Sequence, residues 1–280
     1  MTHGRMLRLV VSILFLSLLP IFGIADPIEP SEEAVSTLDF KMYGGLILFK
    51  LEVNGQQKSF LLDSGAPSVI LNQKVKESSA VFLTVEGEVR AQEGEIEEIR
   101  IGNILRTKVP TWIMDLSHIE KRLGITIDGL IGADLLSSYD LLIDYKLQKI
   151  SFLSPGNMNE LKPVFSKVIA LPFVSYYDNL PVIALNRNGQ ELLMSFDTGA
   201  GITVLAEDLL EKGTSVLEEI SLGSLKVQSV PVVSSDMSQF VDEEGNRLDG
   251  ILSVNSLNAD SVLISSKRQT IFLFWDNSLE

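Results

Sequence analysis

Residues 60–66 read Phe-Leu-Leu-Asp-Ser-Gly-Ala, and residues 193–200 read Leu-Met-Ser-Phe-Asp-Thr-Gly-Ala. In each phrase a mostly apolar stretch leads into an acid, a hydroxyl residue, Gly and Ala, and a second apolar run follows. Apolar runs with branched residues predict strands, whereas Asp, Ser and Gly favour turns. Each phrase is therefore interpreted as a strand, a tight turn and a strand. Two such turns, one in each half of a chain, can bring two carboxylates face to face.

The repetition extends well beyond the two turns. Asn54-Gly55-Gln56 recurs 134 residues later, which is the offset that separates Asp63 from Asp197. Three further segments recur at an offset of 121, namely 101–102 at 222–223, 109–110 at 230–231, and 128–131 at 249–252. A long internal repeat of this kind predicts two copies of one fold. Short apolar runs separated by Gly, Asn-Gly and Pro predict that the fold is all-β and barrel-like.

The second copy is shorter than the first. Because the offset falls from 134 to 121, it lacks 13 residues between its acidic turn and Leu222. The corresponding stretch of the first copy includes residues 85–96, which are polar and interrupted by Gly. That pattern predicts an exposed hairpin in the first half only. Helical patterns are sparse and fall at residues 133–138 and 205–212.

From about Phe40 to Phe274 the chain resembles the pepsin-like and retropepsin-like aspartic proteases, in particular the bacterial two-lobed kind. The resemblance implies two pseudo-symmetric retropepsin-like β-barrel lobes with a few short helices. It divides the chain into an N-terminal lobe with a flap, residues 40–155, and a C-terminal lobe, residues 156–280. It also implies that Asp63 and Asp197 are catalytic. The dyad would be supported by the remaining residues of the two turns: Ser64, Gly65, Ala66, Thr198, Gly199 and Ala200.

In this family an apolar-apolar-Gly element braces each acidic turn from behind. The matching residues are Leu130, Ile131 and Gly132 in the first half and Ile251, Leu252 and Ser253 in the second. Ser253 stands where the family has Gly, and a side chain there is expected to crowd the backbone behind Asp197.

Two-lobed members of the family carry a flap from the N-terminal lobe alone, which agrees with the one-sided hairpin. The flap candidate is Gln92, Glu93 and Gly94. It contains no Tyr, unlike the flaps of the pepsin type.

The two acids are suited to general acid–base chemistry. Carboxylates about 3 Å apart share one proton, an arrangement for which aspartic proteases are themselves the standard example. The charged acid would take a proton from a water while the protonated acid hydrogen-bonds the scissile carbonyl. The sequence leaves open which Asp holds the proton. Ala66 and Ala200 lack the hydroxyl that pepsins carry after the Gly, which predicts a working pH nearer neutral than that of pepsin.

Other polar residues have simpler interpretations. A lone Asp-Ser-Gly is more often a turn than a catalyst, and only the matched second copy reverses that preference. Asp128 and Asp249, each before a Gly, are interpreted as turn residues, and Asp144 as structural. Trp112 is assigned to the core. His118 is assigned to the surface.

Composition excludes several classes of protein. The chain has no Cys, so thiol catalysis, thiolate metal sites and disulfides are absent. Its two histidines are His3 and His118, too few for a histidine-rich metal site. Gly44-Gly45 lacks the Lys and spacing of a phosphate-binding loop. We therefore expect neither a metal nor a cofactor.

The N-terminus has the pattern of a signal peptide, residues 1–25. Arg5 and Arg8 precede an apolar run, and Gly23-Ile24-Ala25 offers a cleavage site. Export to the periplasm or to the outside is predicted, with an uncleaved membrane anchor as the alternative. Residues 26–39 are interpreted as a linker. Whether this segment acts as a propeptide is left open.

The net charge and the fold signals suggest the partners. The formal net charge is −14, which disfavours nucleic acid and anionic membranes. The leading hypothesis is an exported, monomeric aspartic endopeptidase that binds an extended peptide between its lobes. Two alternatives stay open: an inactive relative that binds peptides, and a structural protein of the cell envelope. The sequence does not indicate the substrate or the preferred cleavage site.

Overall fold

A computed structural model of the chain describes residues 8–9, 15–16, 36–84, 87–156 and 167–275. Of the predicted signal peptide, only two short paired strands lie among them, β1 (Arg8–Leu9) and β2 (Phe15–Leu16). The signal peptide and its cleavage site therefore stay predictions. Among the described residues, no helix has the length and apolar character needed to cross a bilayer. The first long strand begins at Ser36, so the linker predicted for 26–39 overlaps it by four residues.

Among the described residues, the N-terminal lobe has ten strands and two short helices. Its strands are β3 (Ser36–Tyr43), β4 (Leu46–Val53), β5 (Gln56–Leu62), β6 (Val69–Asn72), β7 (Ala80–Thr84), β8 (Gly87–Ile101), β9 (Ile104–Met114), β10 (Gly129–Ile131), β11 (Asp140–Asp144) and β12 (Lys149–Leu153). Its helices are α1 (Ser117–Leu123) and α2 (Ala133–Leu136). The α2 helix lies within the predicted range 133–138, whereas α1 was not predicted.

Among the described residues, the C-terminal lobe also has ten strands and repeats much of this order. Its strands are β13 (Lys167–Pro172), β14 (Ser175–Tyr177), β15 (Leu180–Arg187), β16 (Gln190–Asp197), β17 (Thr203–Ala206), β18 (Val216–Leu222), β19 (Leu225–Ser235), β20 (Gly250–Ser253), β21 (Ser261–Ser265) and β22 (Thr270–Trp275). The helix predicted for 205–212 is one 3₁₀ turn, Glu207–Leu209, and a second 3₁₀ turn spans Val254–Leu257.

The repeated Asn-Gly pairs close equivalent hairpins in the two lobes. Asn54 and Gly55 join β4 to β5 with φ values of 51° and 74°, and Asn188 and Gly189 join β15 to β16 with 53° and 84°. Two consecutive positive φ values are what the tight hairpin turn needs, and Asn and Gly tolerate them best. The local sequence therefore sets the register of the strand that carries each acid.

One antiparallel sheet joins the two lobes. Its six strands lie in the order β13-β22-β21-β11-β12-β3, three from each lobe, and pairing continues from β3 to β4 within the N-terminal lobe. The central pair is β11 and β21, in which Leu141 lies opposite Ile264 and Asp144 opposite Ser261. Equivalent strands of the two copies thus meet side by side at an approximate two-fold axis, and the mostly β, two-lobed prediction is confirmed.

Candidate active site

Each candidate acid stands where a central strand ends. Asp63 directly follows β5, and Asp197 is the last residue of β16. The predicted braces are real strands: β10 runs parallel to β5, and β20 runs parallel to β16. The backbone N–H of Asp63 donates to the carbonyl of Ile131 at 3.1 Å. Each acid is therefore fixed from behind by the element that the sequence predicted for this role.

The two turns hold each other across the lobe boundary through their hydroxyl residues. The backbone N–H of Ser64 donates to Oγ1 of Thr198, and the N–H of Thr198 donates to Oγ of Ser64, both at 3.0 Å. The two hydroxyls lie 3.2 Å apart. Because both side chains are buried, this reciprocal pair sets how closely the lobes approach at the acids.

The two carboxyl groups meet at Gly199. Its N–H donates to Oδ1 of Asp197 at 2.7 Å, and a Cβ atom at this position would overlap the carboxyl group of Asp63. Only a residue without a side chain lets the Asp63 carboxyl lie against this backbone. The chain thus brings together two acids that are 134 residues apart in sequence.

The hydrogen-bond donors are unequally shared between the acids. Oδ1 of Asp197 accepts from the N–H groups of Gly199 and of Gly65, the latter at 3.1 Å, and from Oγ of Ser64 at 3.4 Å. Oδ1 of Asp63 accepts from the N–H of Ala66 at 3.1 Å. Oδ2 of Asp197 is buried and has no hydrogen-bond partner among the described residues.

Burial makes both acids hard to ionise. Asp63 is 2% exposed and Asp197 is fully buried. Burial raises the pKa of Asp63 well above its usual value, and the neighbouring Asp197 raises it further. Burial also raises the pKa of Asp197, to about 7, against the lowering effect of the donors from Gly199, Gly65 and Ser64. Both shifts favour the protonated carboxyl over the carboxylate, so the pair keeps a proton to higher pH than two exposed acids would.

The first brace leaves no room for a side chain. A Cβ atom at Gly132 would overlap the carbonyl oxygen of Ser68 and lie 2.6 Å from that of Ala66. Next to it, the N–H of Ala133 donates to the same Ala66 carbonyl at 2.7 Å. The backbone of the brace therefore contacts the backbone of the Asp63 turn directly.

The second brace accommodates the side chain of Ser253. The expectation that this side chain would crowd the backbone behind Asp197 is therefore wrong. Ser253 is fully buried, and its Oγ donates to the carbonyl of Ala200 at 2.6 Å. Its N–H donates to Oγ1 of Thr203 at 3.2 Å. The side chain makes a hydrogen bond to the turn where the first lobe uses a backbone N–H.

The predicted hairpin exists, and the flap candidate lies in one of its strands. Gln92, Glu93 and Gly94 lie within β8, paired with Ile113, Trp112 and Thr111 of β9. β7 ends at Thr84 and β8 begins at Gly87, and residues 85–86 lie outside the described residues. More exposed and less exposed residues alternate along β8, and this alternation continues through residues 92–94. Gly94 therefore does not mark a turn.

The base of this hairpin is well packed. Phe82 of β7 is fully buried and meets the half-buried Trp112 edge to face, with ring centroids 5.0 Å apart. In the C-terminal lobe the described chain passes from β17 through a 3₁₀ turn to β18, with no strand equivalent to β7. The one-sided hairpin predicted from the shortened repeat is therefore present.

The other acids behave as turn residues. Asp128 accepts from the N–H of Ser59 at 2.8 Å, and Asp249 accepts from the N–H of Leu193 at 2.9 Å. Asp144 accepts from the N–H of Leu147 in a tight turn. Among the described residues, no group of three or more acids and histidines is placed to hold a metal ion.

One contact near the site was missed in the sequence. Nδ2 of Asn255 donates to the carbonyl of Gly45 at 2.8 Å, which links the C-terminal lobe to the β3–β4 turn of the other lobe. Gly44-Gly45 was interpreted only as a turn. Asn255 has no equivalent in the first copy, where Asp134 stands, so the repeat itself gave no signal for it.

The comparisons with known proteins agree with this geometry. Residues 49–135 match the family model described as aspartyl protease, a range that includes Asp63 and the first brace. The chain has the aspartic protease fold, and the family match spans part of its N-terminal lobe. No curated protein sequence matches the chain.

Two solved structures have the same fold over most of this chain and most of their own length. The aspartic proteinase from Irpex lacteus is 10% identical with a TM-score of 0.57, and the match covers 87% of this chain and 98% of that one. Basic 7S globulin from soybean is also 10% identical, with a TM-score of 0.51 and coverage of 86% and 94%. At this identity the likeness establishes the fold, and the activity has to be argued from the site.

Proposed function

We propose that this protein is an exported aspartic endopeptidase that hydrolyses peptide bonds with a water activated by Asp63 and Asp197. The observation that carries the proposal is the meeting of both buried carboxyl groups at Gly199. The aspartyl protease family match supports the same class of reaction. Duplicated lobes that hold each other through Ser64 and Thr198 provide the rigid frame that such a pair requires.

The unequal donors suggest a role for each acid. Asp197, with two backbone N–H donors and a hydroxyl, is better stabilised as the anion, and Asp63 then holds the proton. Asp197 would take a proton from the water as the water oxygen attacks the carbonyl carbon. At the same time Asp63 would give its own proton to the carbonyl oxygen. Asp197 would next protonate the amine nitrogen as the C–N bond breaks. Asp63 would recover a proton from the collapsing diol, and the starting state returns.

The substrate we propose is a peptide in extended conformation, bound between the lobes beneath the β7–β8 hairpin. An extended chain presents its backbone N–H and C=O groups at regular spacing, so recognition relies on main-chain hydrogen bonds and apolar pockets. The negative net charge favours peptides over nucleic acid as partners. We also propose that the enzyme acts as a monomer outside the cytoplasm, since both acids come from one chain and the N-terminal sequence has the pattern of an export signal.

The proposal is tested by cleavage of a mixed peptide library over a pH series. Wild type should cleave, pepstatin should inhibit, and Asp63→Asn and Asp197→Asn should each lower kcat/KM by more than about a thousandfold. Asp144→Asn changes an acid that accepts a hydrogen bond from the N–H of Leu147 in its own turn, and this variant should cleave like wild type.

Each alternative gives a different result in the same assay. Peptides that bind to the wild type without being cleaved would favour an inactive peptide-binding relative. The absence of both binding and cleavage would favour a structural protein. Cleavage that survives in Asp63→Asn or Asp197→Asn would refute the shared-water mechanism.

A further inference from the structure

A side-chain bridge runs behind the second acidic turn, and we propose that Ser253 and Asn255 are positioning residues for Asp197. Ser253 holds the turn through the carbonyl of Ala200, and Asn255 connects it to Gly45 of the other lobe. We call these four residues the clasp. The inference rests on the proposed function, since the role of the clasp is to keep Asp197 in place for the reaction.

The clasp is a continuous set of hydrogen bonds. Oγ of Ser253 donates to the Ala200 carbonyl at 2.6 Å and accepts from the N–H of Asn255 at 3.3 Å. Nδ2 of Asn255 lies 3.2 Å from the same Oγ and donates to the Gly45 carbonyl at 2.8 Å. It also reaches the Ala200 carbonyl at 3.5 Å. Each polar group is therefore held by another member, so loss of one weakens the rest.

The clasp holds Ala200, the residue that directly follows Gly199. The N–H of Gly199 donates to Asp197. On the far side, the carbonyl of Gly44 lies 3.0 Å from the position that a Cβ of Gly201 would take, so the β3–β4 turn packs on the acidic turn itself. A small movement of the Ala200 carbonyl would therefore change the Gly199 contact with Asp197.

The first lobe achieves the equivalent contact in a different way. There the backbone N–H of Ala133 donates to the Ala66 carbonyl, and Gly132 has no space for a side chain. The backbone differs accordingly: Gly132 has φ −102° and ψ −177°, whereas Ser253 has φ −71° and ψ 130°. The hydroxyl of Ser253 thus gives the Ala200 carbonyl the kind of hydrogen bond that the Ala133 N–H gives the Ala66 carbonyl in the first lobe. Ser253 is a functional replacement for glycine in this lobe and not merely a tolerated one.

Substitution with glycine distinguishes these two views. If serine were only tolerated, Ser253→Gly would match the first brace and leave activity equal or higher. If the clasp positions Asp197, Ser253→Gly and Ser253→Ala should both lower kcat by about 10- to 100-fold, because small misplacements at a reacting centre cost that much. KM should stay within about twofold, since the clasp lies behind the acid and away from the substrate.

The matched control is Ser36→Ala. Ser36 is also buried, and its hydroxyl donates to the carbonyl of Ile101 at 2.8 Å and accepts from the N–H of Asn103 at 3.2 Å. The substitution therefore removes the same kind of hydroxyl bridge far from the acids. Its loss of melting temperature should resemble that of Ser253→Ala, while its kcat should equal that of wild type.

Asn255 provides a second variant at a half-buried position. Asn255→Ala removes the link to Gly45 and should lower kcat in the same direction. Because both residues act through one set of hydrogen bonds, the double variant with Ser253→Ala should lose less than the product of the two single losses. Independent, multiplicative losses would overturn the clasp as a unit.

A readout that does not need activity separates this inference from the proposed function. We would follow the ¹³C carboxyl shifts of Asp63 and Asp197 against pH in the full chain. Ser253→Ala should raise the lower apparent pKa of the pair by about 0.5, because a looser Gly199 contact stabilises the anion less. Ser36→Ala should leave it unchanged.

The outcomes are distinct. A selective loss of kcat with a raised pKa of the pair in Ser253→Ala supports the clasp. Equal kcat and equal titration in Ser253→Ala, Ser36→Ala and wild type overturn it, even if wild type is an active protease. If wild type cleaves no peptide, the proposed function fails, and the titration alone then decides whether Ser253 positions Asp197.

Discussion

The two lobes are close copies at the acidic turns and differ in what surrounds them. In both, the brace runs parallel to the strand of the acid, and the Asp before the brace binds the same position of that strand. The first lobe adds the β7–β8 hairpin and a backbone-only brace at Gly132. The described part of the second lobe has no strand equivalent to β7, and its brace uses the Ser253 hydroxyl where the first uses backbone alone. Duplication thus preserved the placement of the acids while their surroundings diverged.

This divergence makes the two acids chemically unequal. Both are buried, yet Asp197 receives more hydrogen-bond donors through Oδ1 than Asp63 does. In a strictly symmetric pair, the proton would have no preferred side. Here the lobes differ at the point where a general acid and a general base need to differ.

The largest expected effect is the change of kcat/KM with pH, which tests whether Asp63 and Asp197 differ as acid and base. Burial raises the pKa of Asp197 to about 7 and that of Asp63 well above its usual value, so the base Asp197 becomes protonated as the pH falls below 7. We expect kcat/KM to fall about tenfold per pH unit below 7, or about a thousandfold at pH 4. The measurement is a pH–rate profile with a peptide that has no titratable group.

The outcome that would contradict this prediction is a rate maximum near pH 2. Such a profile would mean that donors in the active form lower both pKa values, as in pepsin, and that the missing hydroxyls at Ala66 and Ala200 do not matter. The control is circular dichroism at each pH, which separates loss of the base from unfolding.

The next largest effect compares the two braces. Gly132→Ala should destabilise the protein by at least about 3 kcal/mol, because the new Cβ would overlap backbone oxygens that cannot rotate away. At the equivalent position, Ser253→Ala removes one buried hydrogen bond and should cost about 1–2 kcal/mol. Urea unfolding of both variants measures the difference. Equal costs would show that the two braces are alike after all.

The third prediction concerns stability and the buried acids. The folded state keeps protons on Asp63 and Asp197 that the unfolded chain releases above about pH 4, so wild-type stability should fall as the pH rises from 4 towards 7. Asp63→Asn removes one group whose pKa is raised by burial and should therefore raise the free energy of unfolding at pH 7. The gain should vanish below pH 4. A gain that is equal at both pH values would show that the carboxyl is not held protonated.

The smallest effect distinguishes the two hydroxyls that link the lobes. Ser64→Ala and Thr198→Ala each leave a buried N–H without its acceptor and should each cost about 1–2 kcal/mol. Only Ser64 also approaches Oδ1 of Asp197, so Ser64→Ala should lower kcat a few-fold more than Thr198→Ala. Thermal unfolding and steady-state kinetics of the two variants make the comparison. A larger loss of kcat in Thr198→Ala would reverse the assignment of Asp197 as the anion.

Much of the fold could be predicted because its signals are local or repeated. The Asn54-Gly55 turn, the apolar strand before Asp63 and the shortened second copy each leave a pattern within a few residues or at a constant offset. The flap position could not be predicted in the same way. Gln92 to Gly94 look like a turn in sequence, but pairing with β9 keeps them in a strand.

By itself, the sequence determined that this chain carries two copies of one β fold, each with an acid at a tight turn, because turn chemistry and strand alternation act over short distances. Only the tertiary structure decided that Asp63 and Asp197 meet at Gly199, that Asp197 receives more donors, and that Ser253 supports its turn instead of crowding it. Those relations join residues from about 50 to more than 130 positions apart in the chain. They depend on how the lobes dock through the shared sheet, and that docking leaves no local pattern to read.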